Sequence, residues 1–192
     1  MRGTQMKFFT SKESNAKWQH GRVSIIIAHD FKANKDCQYW YLKRTFPNAI
    51  YLHDVIETLF MDGVSPFERE KYSLQHLNEN DKLIIVGHSN ERGYEDMPIY
   101  RLVKILKLLK LQRVGVIKLH SCLIAKGDWM LRFGNALISS GISFSYLSGP
   151  RGIYWYMPTR YARDYCILAG NIKKSFNRTR YTPDNVDGYV KN

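Results

Sequence analysis

LIIVGHS (residues 83–89) and VGVIKLHSC (residues 114–122) decide how this chain folds. Each is a short apolar run that ends abruptly in polar, chemically competent residues: Gly87-His88-Ser89 in the first, His120-Ser121-Cys122 in the second. Unbroken apolar runs of this length suit strands buried on both faces, as in a parallel sheet. Neighbouring parallel strands deliver their carboxyl ends to one edge, so the spacing predicts that His88 and Cys122 meet there.

The same pattern extends outward. VSIIIA (residues 23–28) reads as a central strand, residues 49–52 as a shorter one, residues 81–88 as one that Asp81 opens and His88 ends, and residues 143–147 as another. Helices are expected over 36–45, from Pro66 onward, over 98–111 and from Gly127-Asp128 to Gly141. In the third of these, Leu102, Ile105, Leu106 and Leu109 recur at helical spacing while Arg101, Lys104, Lys107 and Lys110 form a charged stripe. In the fourth, Trp129, Met130, Phe133 and Leu137 make the inner face. Strands alternating with helices predict a three-layer α/β domain with a mainly parallel central sheet flanked by helices. Residues 1–20 read as a polar extension and 21–192 as one domain. Its tail, 150–192, is rich in Tyr and Arg, with a hairpin or flap expected across 152–165.

At 192 residues the chain can bury a core without metals or disulfides. Its formal net charge of +12 points to a polyanionic partner: nucleic acid, an anionic membrane surface or a phosphorylated small molecule. Three cysteines, Cys37, Cys122 and Cys166, are too few and odd in number for a disulfide framework and imply a reducing compartment such as the cytosol, or a free thiol. No stretch has the length of a signal peptide's apolar core at the start or of a membrane span later, so a soluble protein is expected.

A thiol attacks as thiolate, and an imidazole within reach can take its proton and later hand it to a leaving amine. The oxyanion formed needs backbone N–H donors, for which the amides of Ser89 and Cys122 are the candidates. Asp30 follows the first strand and is expected at the same edge, where its carboxylate could orient His88. The competing reading makes Cys122 a buried small residue, His88 a hydrogen-bonded loop residue and Asp30 a turn residue. A serine nucleophile at Ser89 is disfavoured because Glu91 stands where a nucleophile elbow needs glycine. The remaining histidines show no metal-site spacing. Arg151, Arg160, Arg163, Lys173, Lys174, Arg178 and Arg180, interleaved with tyrosines, would repel one another unless an anion gathers them.

The order IIIAHD, LIIVGHS, VIKLHSC and the following WMLRFGNAL resembles the caspase-like clan of cysteine peptidases. Within that clan it is most similar to the inositol-hexakisphosphate-activated protease domains that process large bacterial toxins. The resemblance spans about residues 22–149 and implies an endopeptidase with Cys122 as nucleophile, His88 as acid/base and Asp30 as the assisting acid. It also implies allosteric activation by inositol hexakisphosphate through a basic face and a β-flap. Lys43 and Arg44 match the family's basic position after the first helix, and Arg160, Arg163, Lys173 and Lys174 its flap region. Ser89 and Ser121 depart from the glycines that the family usually has beside its His and Cys, and the region after Cys122 is shorter. A delivered bacterial effector acting in a eukaryotic cytosol would fit that activator. The alternative is a non-catalytic basic α/β module that binds nucleic acid or anionic lipid.

Overall fold

A computed structural model describes residues 21–28, 48–61, 65, 70–94, 97–152 and 165–173. In chain order the elements are β1 (Val23–Ile27), β2 (Ile50–Tyr51), α1 (Leu52–Phe60), β3 (Lys82–Val86), β4 (Ser89–Asn90), β5 (Gly93–Tyr94), α2 (Ile99–Leu108), β6 (Arg113–His120), α3 (Trp129–Ser139), β7 (Ser143–Pro150) and β8 (Tyr165–Ala169). The main sheet has the order β2-β1-β3-β6-β7-β8, parallel throughout except for β8, which runs antiparallel to β7. The expected α/β class and mainly parallel sheet are therefore present. The chain winds one way from β1 to β2, then crosses back to β3 and continues the other way, which makes the carboxyl ends of β1 and β3 the switch point of the sheet.

Burial follows the strand alternation. Ile26, Leu83, Ile85, Ile117, Leu119 and Leu147 join one large cluster, together with Leu52 and Val55 of α1, Leu102, Ile105 and Leu106 of α2, and Trp129, Phe133 and Leu137 of α3. Ile25, Ile27, Tyr51, Ile84 and Val86 form a second cluster. The described helices thus pack on one face of the sheet. The helices expected over 36–45 and from Pro66 lie outside the described residues, as does the connection expected to form a flap.

α2 carries its apolar and basic residues as the periodicity predicts: Leu102, Ile105 and Leu106 are buried, while Arg101, Lys104, Lys107 and Lys110 are exposed. α3 ends where Gly141 takes a φ of +81° and the Ile142 N–H reaches back to the Leu137 carbonyl, a left-handed cap that glycine adopts without strain. Several elements depart from expectation: β7 runs on to Pro150 past the expected end at residue 147, and β8 was not foreseen. Residues 49–52 are only two residues of strand, because Leu52, Val55 and Ile56 turn at once into α1. The strand over 81–88 stops at Val86. Residues 89–94 form an unforeseen hairpin, β4–β5. Among the described residues, no helix is long and apolar enough to cross a membrane.

Register is pinned at the amino edge by Asp81, which is 1% exposed. Its carboxylate accepts from the Arg22 N–H at 2.6 Å and the Asn78 N–H at 2.8 Å, and its carbonyl accepts from the Gly115 and Val116 N–H groups at 3.0 and 3.1 Å. One residue thereby ties the starts of β1, β3 and β6. Removing the carboxylate in Asp81→Ala strands two backbone donors in a buried site. We expect a loss of about 2–3 kcal/mol of unfolding free energy in urea titrations, against a smaller loss for Asp81→Asn, which keeps one acceptor.

Candidate active site

β3 and β6 pair in parallel with Lys82 beside Val116 and Val86 beside His120. His88 and Cys122 each stand two residues beyond the last of these pairs. Their backbones therefore leave adjacent strands, about 4.8 Å apart, at the same level of the sheet. Both side chains are half-buried, and Cys122 is not in a disulfide. The thiol can thus be reached from outside while its contact with water is limited.

The loop that carries Cys122 is held from both sides. The Gly87 N–H donates to the His120 carbonyl at 3.2 Å, extending the β3–β6 ladder past the last strand residue. The Ser89 hydroxyl donates to the Cys122 carbonyl at 2.5 Å, and the Ser121 hydroxyl donates to the Tyr94 hydroxyl at 3.1 Å, which in turn donates to the Ile85 carbonyl at 3.3 Å. On the far side, the Leu123 N–H donates to the Gly152 carbonyl at 2.9 Å and the Ala125 N–H to the Pro150 carbonyl at 3.1 Å, fastening the loop to the end of β7. Lys126 and Glu91 add an exposed ion pair at 3.1 Å. Leu123, directly after the thiol, has φ of +55°, a left-handed conformation that costs a side-chain-bearing residue about 1 kcal/mol or more and persists only where neighbours hold it.

Ser89 and Ser121 stand next to His88 and Cys122, and both hydroxyls are used to join the two loops. Ser89 is also 8% exposed and lies in β4 with no helix following, unlike the exposed serine of a nucleophile elbow.

The β4–β5 hairpin is the part of the site that sequence reasoning missed. Its turn signal is Asn90, whose side-chain carbonyl accepts from the Arg92 N–H at 2.8 Å, with Gly93 three positions on. Gly93 has φ of +124°, and a methyl group there would collide with the Trp129 indole. The close approach lets Tyr94 pack edge-on against Trp129, with ring centroids 5.5 Å apart. At Gly87 a methyl would likewise press on the Tyr94 ring at 2.7 Å. Glycine at 87 and 93 is thus what brings the His88 segment, Tyr94 and the first turn of α3 together.

His120 is the other residue the sequence left unassigned. It is 3% exposed, on the strand face that carries Val86. Burial first, and then the charges of Lys118 and Lys82, hold its imidazole well below the usual histidine range. Burial also lowers Lys82 to about 8. His120 is therefore neutral at physiological pH, two residues before the thiol.

Of the other predicted site residues, Asp30, Lys43, Arg44, Arg160, Arg163 and Lys174 lie outside the described residues. Lys173 is exposed just past β8, where the Ile172 N–H bonds the Phe144 carbonyl near the start of β7. That places Lys173 at the opposite edge of the sheet from His88 and Cys122. Among the described residues, no three metal-ligating side chains converge. No protein-family model, curated protein or solved structure matches this chain.

The neutral state of His120 has a pH signature. Its folded pKa is below the unfolded value of about 6.5, so the unfolded chain binds the proton first and stability falls as pH drops below that value. The contribution is at most about 1.4 kcal/mol per pH unit. Urea titrations at pH 7.5 and 5.5 should show a larger acid loss for the wild type than for His120→Leu; equal losses would contradict a neutral buried imidazole.

Proposed function

We propose that this protein is a cysteine endopeptidase of caspase-like, three-layer fold with Cys122 as nucleophile and His88 as acid/base. The observation that carries the reading is the shared level of His88 and Cys122 beyond the paired residues Val86 and His120. The half-buried Cys122 thiol, outside any disulfide, and the bonds that tie its loop to the His88 segment support it.

His88 takes the thiol proton, and the Cys122 sulfur attacks the scissile carbonyl carbon. Backbone N–H groups of Ser89 and Cys122 receive the oxyanion. The His88 imidazolium then protonates the leaving amine as the C–N bond breaks, leaving a thioester. Water, deprotonated by His88, attacks the thioester carbonyl and releases the carboxylate product and the thiol. Asp30 would orient the imidazole. By the same resemblance, inositol hexakisphosphate is the activator, held by Lys43, Arg44, Arg160, Arg163, Lys173 and Lys174. The +12 charge supports a polyanionic ligand. The cysteine usage fits action in a reducing cytosol, including that of a host cell entered by a bacterial effector.

Cleavage of a mixture-based peptide library, followed by mass spectrometry, tests the chemistry. Cys122→Ala and His88→Ala should each lower turnover by at least about 10³-fold with unchanged circular dichroism. Ser89→Ala should keep most of it. Loss in Ser89→Ala with retention in Cys122→Ala would make the enzyme a serine hydrolase, and retention in all three would leave a non-catalytic module. Adding inositol hexakisphosphate should raise both the melting temperature and the rate; a raised melting temperature with an unchanged rate would remove the activation and keep the protease.

A further inference from the structure

α2 and α3 lie side by side over the sheet, and between them runs an open groove of about 750 Å³. One wall is a single stripe of α2, Tyr100, Val103, Lys104 and Lys107, at steps of three and four. The other is a stripe of α3, Trp129, Arg132, Ala136 and Ser139, at the same helical steps. The α3 stripe shrinks from indole to methyl and hydroxymethyl groups, which leaves room above it for a third helix to nest.

Among the described residues the charge of the groove is one-sided. Its floor is apolar: Val103 and Trp129 are buried, and Ala136 is half-buried. Tyr100 stands on the rim 75% exposed, an unusual position for so large a ring in a packed helix. Arg92, Lys104, Lys107 and Arg132 surround that floor, and no carboxylate is among the described lining residues. Arg132 is paired with Asp128 at 3.2 Å, and Lys104 leans over the Phe60 ring at 4.9 Å. α2 itself contains no acidic residue, so its cations gain no relief from one another within the helix.

We propose that this groove docks an acidic amphipathic helix of a partner protein. Apolar residues at i, i+3, i+4 and i+7 would fill the space over Ala136 and against Tyr100, and flanking carboxylates would meet Lys104, Lys107 and Arg92. α2 spans ten residues, about 15 Å, so the occupant needs three turns. A concave floor walled by two helices fits a rod better than the flat surface of a bilayer. The inference does not depend on whether Cys122 is catalytic, because none of these side chains belongs to the dyad.

The probe is a fluorescent, hydrocarbon-stapled 15-residue helix with Leu at the anchor positions and Glu on its flanks, titrated by anisotropy into the full chain. A Lys-for-Glu version is the counter-probe. Saturable binding of the acidic probe is expected. It should weaken at least about tenfold in the exposed-charge variant Lys104→Glu/Lys107→Glu and in Ala136→Trp, which fills the groove. It should change less than about twofold in the charge-matched control Lys71→Glu/Arg113→Glu, two exposed cations that do not line the groove. Equal weakening in both charge variants would reduce the effect to net charge, and no preference for the acidic probe would also overturn the proposal. So would phosphatidylserine vesicles binding where the helix does not, or a dimer, seen by light scattering, that Lys104→Glu/Lys107→Glu dissociates. Circular dichroism and melting of each variant separate loss of the groove from loss of the fold.

Discussion

A single buried carboxylate sets the scale of this molecule. Asp81 ties the N–H of Arg22 ahead of β1, the turn before β3 and the start of β6 into one cluster at the amino edge of the sheet. In a parallel sheet a slip of one residue would turn every side chain to the other face. Pinning three strands at one end therefore fixes what emerges at the other. Lys82 beside Val116 becomes Val86 beside His120 four residues later, and His88 and Cys122 leave their strands in step.

At the carboxyl edge the loops are held as the strands are, which keeps the backbones of His88 and Cys122 where the strand ends deliver them. Two serine hydroxyls and one tyrosine do this work across the two loops, and the end of β7 does it from the other side. The left-handed backbone at Leu123 is the local cost of turning the chain sharply after Cys122. Glycine at 87 and 93 permits the close packing of Tyr94 and Trp129 that backs the whole arrangement.

What the sequence revealed and what it hid divide along the range of the forces involved. β1, β3 and β6 were legible because burial on both faces demands unbroken apolar runs, and α2 and α3 because burial on one face imposes a helical period. The placement of His88 and Cys122 just past two adjacent strands was legible because they end such runs. The β4–β5 hairpin was not, since two-residue strands have no period and exist only where Gly93 lets them sit on Trp129. α1 was hidden by following β2 without a break, so that Leu52 closed an apparent strand. β8 was hidden because it lies inside a tail whose tyrosines and arginines suggest surface, and its place is set by antiparallel pairing with β7. Asp81 read as a strand opener, which is correct, but its bonds to Arg22, Gly115 and Val116 are tertiary and leave no local mark.

The central claim is that His88 acts on the proton of Cys122, and the most direct measurement is the rate at which that thiol is alkylated by iodoacetamide. The rate would be followed by peptide mass mapping across pH 5–9 in the wild type and in His88→Ala, with Cys37 and Cys166 as internal references. The account predicts that Cys122 reacts well ahead of the other two at neutral pH, and that this lead disappears in His88→Ala. Equal rates at Cys122 in the two proteins would contradict it.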